Sequence, residues 1–574
     1  MTYLFQHLSD QHTGTMKHVS LLVNWHSLSV LFVALASQSW AQLPQTSWAS
    51  VFYGLTPPSS MDCAVDPFGN SYVLGEFSGI VDFDPGVAVY PLNSNEGNIF
   101  IVKLDNAGGL TWAKQFGGST AYTTAIELDQ VGSAFITGSF YSAGVDFDPG
   151  PAVQTLASFG GYLMKLSSAG TFVWARNLGG PIMIVREMAI DSLGSPVVTG
   201  NFQGTIDFDP GIGALEITSV GGDDAFVTKY SSLGELSWAV ALGGPGNEDG
   251  LTIATDNDGY TYVGGFFHDG ADFDPGPSSY ALTSVGGGDA YVCRLSPQGA
   301  LDWAVGMGSA AANYADATRA LTISNDQVVA AGSFTESADF DPTGGSAILS
   351  SAGGVDVFVS RFTTDGLFNG VSQIGGWEGN EFCYRAVTDP SGAIILSGSF
   401  QGIVDFDPGA ADGSLTAGLN GLFVCRWNSM TEYEWAFSNS VEAVSSPGAD
   451  VVYCIGTCSA GSDVDPSASV FQVSQAGALT MKLDQLGTTG VQPTNQSSEI
   501  TAHRVVGAEH SWRVSFPQTD RQSAFRLVDM NGRTIQTGRI ESGSSGLTVD
   551  LLQCASGLYL IELMHGQGAI RIVR

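Results

Sequence analysis

Basic residues are scarce in this chain: 21 Lys and Arg stand against 56 Asp and Glu, a formal net charge of −35 over 574 residues. Such a surface repels nucleic-acid phosphates and anionic lipid headgroups, and no basic run interrupts it, so nucleic acid is excluded as a partner and neutral or cationic ligands are favoured. Charge of either sign is sparse, at 13% of residues, whereas Gly is abundant at 74; that composition favours turns and short strands over helices. Histidine is nearly missing from the middle of the chain. His7, His12, His18 and His26 precede residue 42, His503, His510 and His565 follow residue 490, and His268 alone lies between. A Ser-His-Asp triad would rest on that one residue, and a histidine-rich metal site cannot be assembled. The seven cysteines (Cys63, Cys293, Cys383, Cys425, Cys454, Cys458, Cys554) are odd in number and irregular in spacing, which gives no disulfide framework. The close pair Cys454 and Cys458, if on one extended strand, would stand about 13 Å apart, too far to bond. Buried structural thiols are the expectation.

Long hydrophobic runs are also lacking. One apolar stretch, 28–36, follows Lys17 and His18 and leads to Ser39-Trp40-Ala41 before Gln42. It is about half the ~20 residues that a helical span needs, so residues 1–41 read as a cleaved export signal, with Met16 as an alternative start and an uncleaved anchor as the competing reading. The mature chain is then expected to carry no transmembrane segment.

What the chain does have is a repeat. Asp82-Phe83-Asp84-Pro85-Gly86 recurs from Asp146, Asp207, Asp272 and Asp405, with degenerate copies from Asp339 and Asp463; successive copies start 58 to 67 residues apart. Seven units result. In the fourth, strand-like segments at 251–255, 260–267, 289–295 and 300–305 are separated by Asn257-Asp258-Gly259, the Asp-Pro-Gly segment and Ser296-Pro297-Gln298-Gly299, all turn chemistry. Seven repeats of four antiparallel strands predict an all-β fold, a seven-bladed β-propeller. The chain's ends predict closure. Fourth strands carry Trp-Ala at Trp112, Trp174, Trp238, Trp303 and Trp435, the seventh unit stops after its third strand, and Ser47-Trp48-Ala49-Ser50 stands ahead of the first. An N-terminal strand that completes the last blade would remove both free sheet edges.

Gly-Asp-Ala-Tyr-Val-Cys-Arg-Leu at 288–295, followed by Leu301-Asp302-Trp303-Ala304, resembles the bacterial propeller repeats called SBBP repeats. That resemblance spans roughly 47–487 and implies the fold, not an activity, because propellers host enzymes and binding proteins alike. The propeller is accordingly assigned to 42–490, a polar linker to 491–505 and a small C-terminal β-sandwich to 506–574. In the last, Phe525 to Arg533, Gly557-Leu558-Tyr559-Leu560-Ile561 and the ending Arg571-Ile572-Val573-Arg574 resemble the sorting domain of the type IX secretion system. Ser515-Phe516-Pro517 stands where that family usually has Pro-Asn-Pro. The resemblance implies the secretion machinery as a partner, passage across the outer membrane, and a secreted or surface-anchored product.

The repeated motif is the natural candidate site. Alternation along a strand puts Asp82 and Asp84 on one side and Phe83 on the other, as a packing residue, with Pro85-Gly86 at the centre of a type II turn. On one reading Asp84 caps the turn and Asp82 is solvated. On the other, a calcium ion sits in each blade, held by Asp82 and Asp84, Asp146 and Asp148, Asp207 and Asp209, Asp272 and Asp274, Asp339 and Asp341, Asp405 and Asp407, or Asp463 and Asp465. Two carboxylates do not fill the six to eight oxygens that Ca²⁺ typically takes, so carbonyls, water or the acids opening third strands (Asp224, Asp289, Asp356) would have to complete the shell. The Gly-Gly links between blades share a face with these turns. Glu248, Asp249, Glu378 and Glu381 are expected to make it acidic, with Trp377 as a sugar-stacking candidate. The acids follow the repeat, whereas an active site breaks it. The chain therefore reads as a non-enzymatic binding, adhesion or envelope protein with an extracellular glycan or protein ligand; a polysaccharide hydrolase or lyase, recognised by blade-specific acids in the central channel, is the alternative.

Overall fold

The computed structural model describes residues 43–484, apart from gaps of at most four residues, and the backbone of strands between Thr501 and Val573. The described residues are all-β, without a helix, and divide into two compact units at Gly487/Thr488. The expected export signal at 1–41 lies outside them.

In the larger unit seven sets of four antiparallel strands follow one another. Short edge pairings join two of the sets into an eight-stranded sheet and three into a twelve-stranded one, two sets stand as separate four-stranded sheets, and two two-stranded ribbons accompany units three and four. In the fourth set, Glu248–Thr255, Thr261–Phe267, Asp289–Leu295 and Leu301–Ser309 pair in sequence. The first of these begins three residues before the apolar pattern does, because Glu248 and Asp249 are strand residues despite their charge. First strands of successive sheets (Ser59–Val65, Ala121–Leu128, Met183–Ile190, Glu248–Thr255, Ala317–Ser324, Phe382–Thr388, Val441–Gly448) pack side by side, and the seventh packs against the first, so the cycle closes.

The seventh sheet takes its fourth strand from the other end of the chain. Gln45–Gly54 pairs with Gly477–Asp484 from Gln45↔Asp484 to Phe52↔Ala478, then reaches unit one at Tyr53↔Asp82. Trp48 shows why this strand fits. Its indole N–H donates to the Asn106 carbonyl of unit one at 3.0 Å, as Trp112, Trp174, Trp238 and Trp303 donate to Ser168, Ser232, Pro297 and Thr364 of the unit after their own. Each indole of this series lies over the glycine of that turn. At Gly108, φ is +81° and an added Cβ would lie 2.8 Å from the Trp48 ring, so only glycine fits.

The apolar cores lie between successive sheets. Phe83, Phe147, Phe208, Phe273, Phe340 and Phe406 are all fully buried, edge-on to Phe77, Phe140, Phe202, Phe267, Phe334 and Phe400 at 5.2–5.5 Å. Such pairs contribute about 0.5–1.5 kcal/mol beyond area burial, and Val464 takes the place in the seventh copy. Cys63, Cys293, Cys383, Cys425 and Cys454 are free and buried, and Cys458 is free and half-buried.

The smaller unit holds two sheets: Thr501–Arg504, Ser511–Ser515 and Gly546–Asp550 in one, and Thr534–Ile540, Ser523–Asp529, Leu558–Leu563 and Ala569–Val573 in the other. Thr501–Arg504, placed by sequence in the linker 491–505, is a strand paired with Ser511–Ser515; four residues are too few for alternation to register. Ser523–Asp529 and Thr534–Ile540 form the expected hairpin, while its Asn531-Gly532 turn lies outside the described residues.

Candidate functional site

The repeated aspartates act on the backbone. The first of each pair accepts, through Oδ1, the N–H of the second at 3.0–3.1 Å: Asp84, Asp148, Asp209, Asp274, Asp341, Asp407 and Asp465 donate to Asp82, Asp146, Asp207, Asp272, Asp339, Asp405 and Asp463. The same oxygen accepts a second N–H from eight residues on, at 2.8–3.0 Å, from Tyr90 in the first copy to Phe471 in the last. The second aspartate then accepts the N–H two residues ahead, as Asp84 does from Gly86 at 2.7 Å. Asp82 is thus a cap rather than a solvated bystander. Gly86 does not take the positive φ of a type II turn, because the Asp84 carboxylate organises the turn instead, and a Cβ on Gly86 would lie 2.9 Å from it. Hydrogen bonds from the Ala347 and Asp341 amides outweigh partial burial and hold the Asp339 carboxyl below the usual range.

These turns also join neighbours. Gly117 N–H donates to the Asp146 carbonyl at 2.7 Å, and Gly243 and Asp272 exchange two hydrogen bonds at 2.9 and 3.1 Å. The links and the Asp turns therefore share a face, as their order in the chain predicts. That face is not made acidic by Glu248, Asp249 and Glu381, which are buried. Glu248 and Glu381 turn inward to accept the N–H of Gly244 and Gly376. Trp377 is 90% exposed. His268 donates from Nδ1 to the Asn247 carbonyl at 2.9 Å.

A different set of charges meets where the first strands converge. A cavity of about 370 Å³ is lined by Asp62, Glu127, Glu187, Thr252, Tyr384 and Arg385, among others. Arg385 Nη2 lies 3.1 Å from Asp62 Oδ1, and its Nη1 lies 2.5 Å from Glu187 Oε1. Asp62 Oδ2 accepts the Ile126 N–H of the next strand at 2.9 Å. Every first strand carries a bulge at the same place. Asp62, Glu187 and Arg385 are the residues just after it in units one, three and six; Ala125, Thr252, Ala320 and Ala443 stand there in the others.

Burial raises the Asp62 and Glu187 carboxyls despite Arg385, whose own pKa is pushed up chiefly by Asp62. Burial, with Asp62 and Glu187 as anionic neighbours, pushes Glu127 up to about 8. The cavity thus offers a fixed guanidinium, two carboxylates paired to it and one carboxyl that holds its proton at neutral pH. Sequence reading missed this cluster because a search for repetition discards residues that differ between copies; the three acids come from different units. Among the described residues, no group of three or more His, Cys, Asp or Glu gathers as a metal site.

Residues 509–573 match the family described as a secretion system C-terminal sorting domain, which supports export by the type IX system and a place outside the cell. The chain is 26% identical over 267 residues to an uncharacterized WD repeat-containing protein of Acanthamoeba polyphaga mimivirus, across 38% of this chain and 19% of that one. It is 30% identical over 138 residues to the regulatory protein FlaEY of Caulobacter vibrioides, across 24% of this chain and 14% of that one. It therefore spans less than a fifth of either relative.

Proposed function

We propose that the chain is an exported surface protein whose body, a seven-bladed propeller of SBBP-like repeats behind a cleaved leader, binds an extracellular glycan in its central cavity without turning it over. Seven sets of four antiparallel strands whose first strands pack in a closed cycle support the propeller, as does the WD-repeat relative, since WD repeats are blades of this kind. The observation that carries the ligand site is the departure from repetition at the cavity: Asp62, Glu187 and Arg385 replace small residues at one structural position. Its volume falls within the range of small-ligand pockets, enough for one or two sugar rings. A planar guanidinium held between carboxylates offers paired donors and acceptors to vicinal hydroxyls.

A glycan array followed by calorimetry on the full chain tests this. Binding should weaken more than about tenfold in Arg385→Met, as expected for loss of a partly buried charged hydrogen-bonding group, with Trp377→Ala unchanged. Binding lost only in Trp377→Ala would move the ligand to the outer face and overturn the cavity site; absence of any glycan ligand would leave a structural envelope protein.

The second reading, a glycoside hydrolase, is favoured by Glu127 alone. A carboxyl raised to about 8 beside arginine-paired carboxylates divides acid from base as such enzymes require. Release of new reducing ends from the bound glycan, abolished in Glu127→Gln, would decide for it.

A further inference from the structure

Six acids lie deep at the junctions between sheets, outside the lining of the cavity and against link glycines (Gly243, Gly308, Gly375) that pair with the turn aspartates Asp272, Asp339 and Asp405. Asp224 and Asp289 open the third strands of units three and four, and Asp356 holds the same register position within the longer third strand Ile348–Thr363 of unit five; Glu248, Asp316 and Glu381 stand at the head of the first strands of units four, five and six. Their exposures are 0, 3 and 0%, and 1, 0 and 0%. They fall in pairs, one from each side of a junction. Gly243-Gly244 links units three and four. A Cβ on Gly243 would lie 2.4 Å from the Asp224 carboxyl carbon, and Gly244 N–H donates to Glu248 Oε2 at 2.8 Å. Gly308-Ser309 holds Asp289 and Asp316 in the same way, at 2.3 and 2.6 Å, and Gly375-Gly376 holds Asp356 and Glu381, at 2.4 and 3.2 Å.

Asp224, Asp289 and Asp356 each keep one oxygen on a backbone N–H, from Val220, Val285 and Ala352, and Glu248 and Glu381 on those of Gly244 and Gly376, whereas both oxygens of Asp316 are so held, by Ser309 and Thr335 at 2.6 and 3.0 Å. The other oxygens of Asp224, Glu248, Asp289, Asp356 and Glu381 are buried without a partner. Buried like charges with idle lone pairs cost several kcal/mol unless something neutralises them.

The remaining junctions show that this arrangement is not imposed by the fold. By register, their paired positions are Asn98 with Ala121, Gly160 with Met183, Gly421 with Asn439, and Gly477 with Pro58. None carries an acid on either side, so the two acids occur together or not at all. Between units two and three, Met183 fills the space: its Cε lies 2.8 Å from where a Cβ on Gly179 would be. A thioether is enough to pack the junction. Paired carboxylates in its place point to a ligand.

We propose that the three junctions between units three and six each hold a calcium ion between a carboxylate of one unit and a carboxylate of the next. An all-oxygen donor set suits a hard cation rather than zinc, and Ca²⁺ accepts carboxylates mixed with backbone carbonyls. Carbonyls are at hand in the links themselves. Gly244, Ser309 and Gly376 each bring a carbonyl oxygen within 2.4, 2.4 and 2.7 Å of where a Cβ would stand on Gly221, Gly286 and Gly353, so all three contacts require glycine. The ion would fasten one sheet to the next. This site is independent of the glycan reading.

Calcium content of the full chain, dialysed against trace calcium after chelation, tests the proposal. About three ions per chain are expected, six or more oxygens around each, with a rise in melting temperature over the chelated protein. The pair Asp224→Asn with Glu248→Gln should remove one ion and leave the others, whereas Asp82→Asn with Asp84→Asn and Arg385→Met should remove none. A full chain that retains no calcium and melts alike with and without chelator overturns the proposal without needing any variant. So does calcium that survives all junction substitutions, or that is lost with the turn or cavity variants instead.

Discussion

Two carboxyls in different regions of this protein, Asp339 in a turn and Glu127 in the central cavity, are shifted in opposite directions. In the turns, Asp339 sits at the surface, accepts two backbone N–H groups and is held below the usual carboxylate range. In the central cavity, Glu127 is withdrawn from water beside Asp62 and Glu187 and is pushed up to about 8. Satisfied hydrogen bonds lower the first, and desolvation raises the second. The turn acids recur in every unit and stabilise it as they stand. The cavity acids occur once each and stay destabilising until a proton, Arg385 or a ligand compensates them. What repeats in this chain builds it, and what fails to repeat is where chemistry is available.

The broadest way to break that comparison is to open the ring. Gln45–Gly54 supplies the last sheet's fourth strand, the Tyr53↔Asp82 pairing and two buried aromatics, Trp48 and Phe52. Deleting residues 43–54 should lower the melting temperature by more than about 10 °C, since several kcal/mol of buried aromatic surface and two paired edges are lost. The cavity acids are untouched by the deletion. If they need the closed ring to meet Arg385, glycan binding should vanish as well. An unchanged melting curve would show that the strand is dispensable and that the sheets stand without closure.

Much of this architecture was legible because it is written repeatedly. The Asp-Phe-Asp spacing marks the units, the displaced Trp48 marks the borrowed strand, and the buried Phe series follows from alternation. The sites were less legible for physical reasons. Asp62, Glu187 and Arg385 share a position defined by a backbone bulge, which no local sequence pattern announces. Asp224, Asp289 and Asp356 were visible as acids opening third strands, yet their partners Glu248 and Glu381 read as surface charge. Only the packing of one sheet against the next brings each pair together, across 24 to 27 residues of chain. The turn chemistry was misread at two points: Asp82 accepts backbone N–H groups instead of facing solvent, and Gly86 is selected by the carboxylate beside it and not by a left-handed φ.

A finer test separates the two carboxyls by pH. Because the Glu127 carboxyl is raised on folding, its contribution is fully present below its unfolded value near ~4.3 and is lost as pH climbs toward about 8. Glu127→Gln removes that loss. The variant should gain on wild type between pH 5 and 8.5, by roughly 1–3 kcal/mol at the upper end once water in the cavity is allowed for. Denaturant titrations at several pH values measure the difference. Parallel pH profiles for the two proteins would mean that Glu127 ionises freely, which removes both its role as a proton donor and the contrast with the turns.

The smallest effect belongs to a single turn, and its pH dependence should run the other way. Asp339→Ala removes two accepted hydrogen bonds in one of the seven copies and leaves Phe340 in place, so the cost at pH 7 should be about 1 kcal/mol. Asp339 is lowered on folding, so its stabilisation is present above ~3.9 and fades as pH falls through its folded value. Wild type and variant should therefore converge in acid, where Glu127 and Glu127→Gln also converge, and separate in opposite senses toward neutrality. A turn variant that is equally stable at pH 7, or whose deficit widens in acid, would deny the aspartate its capping role. The motif's recurrence would then have to be explained by Phe340 and its equivalents alone.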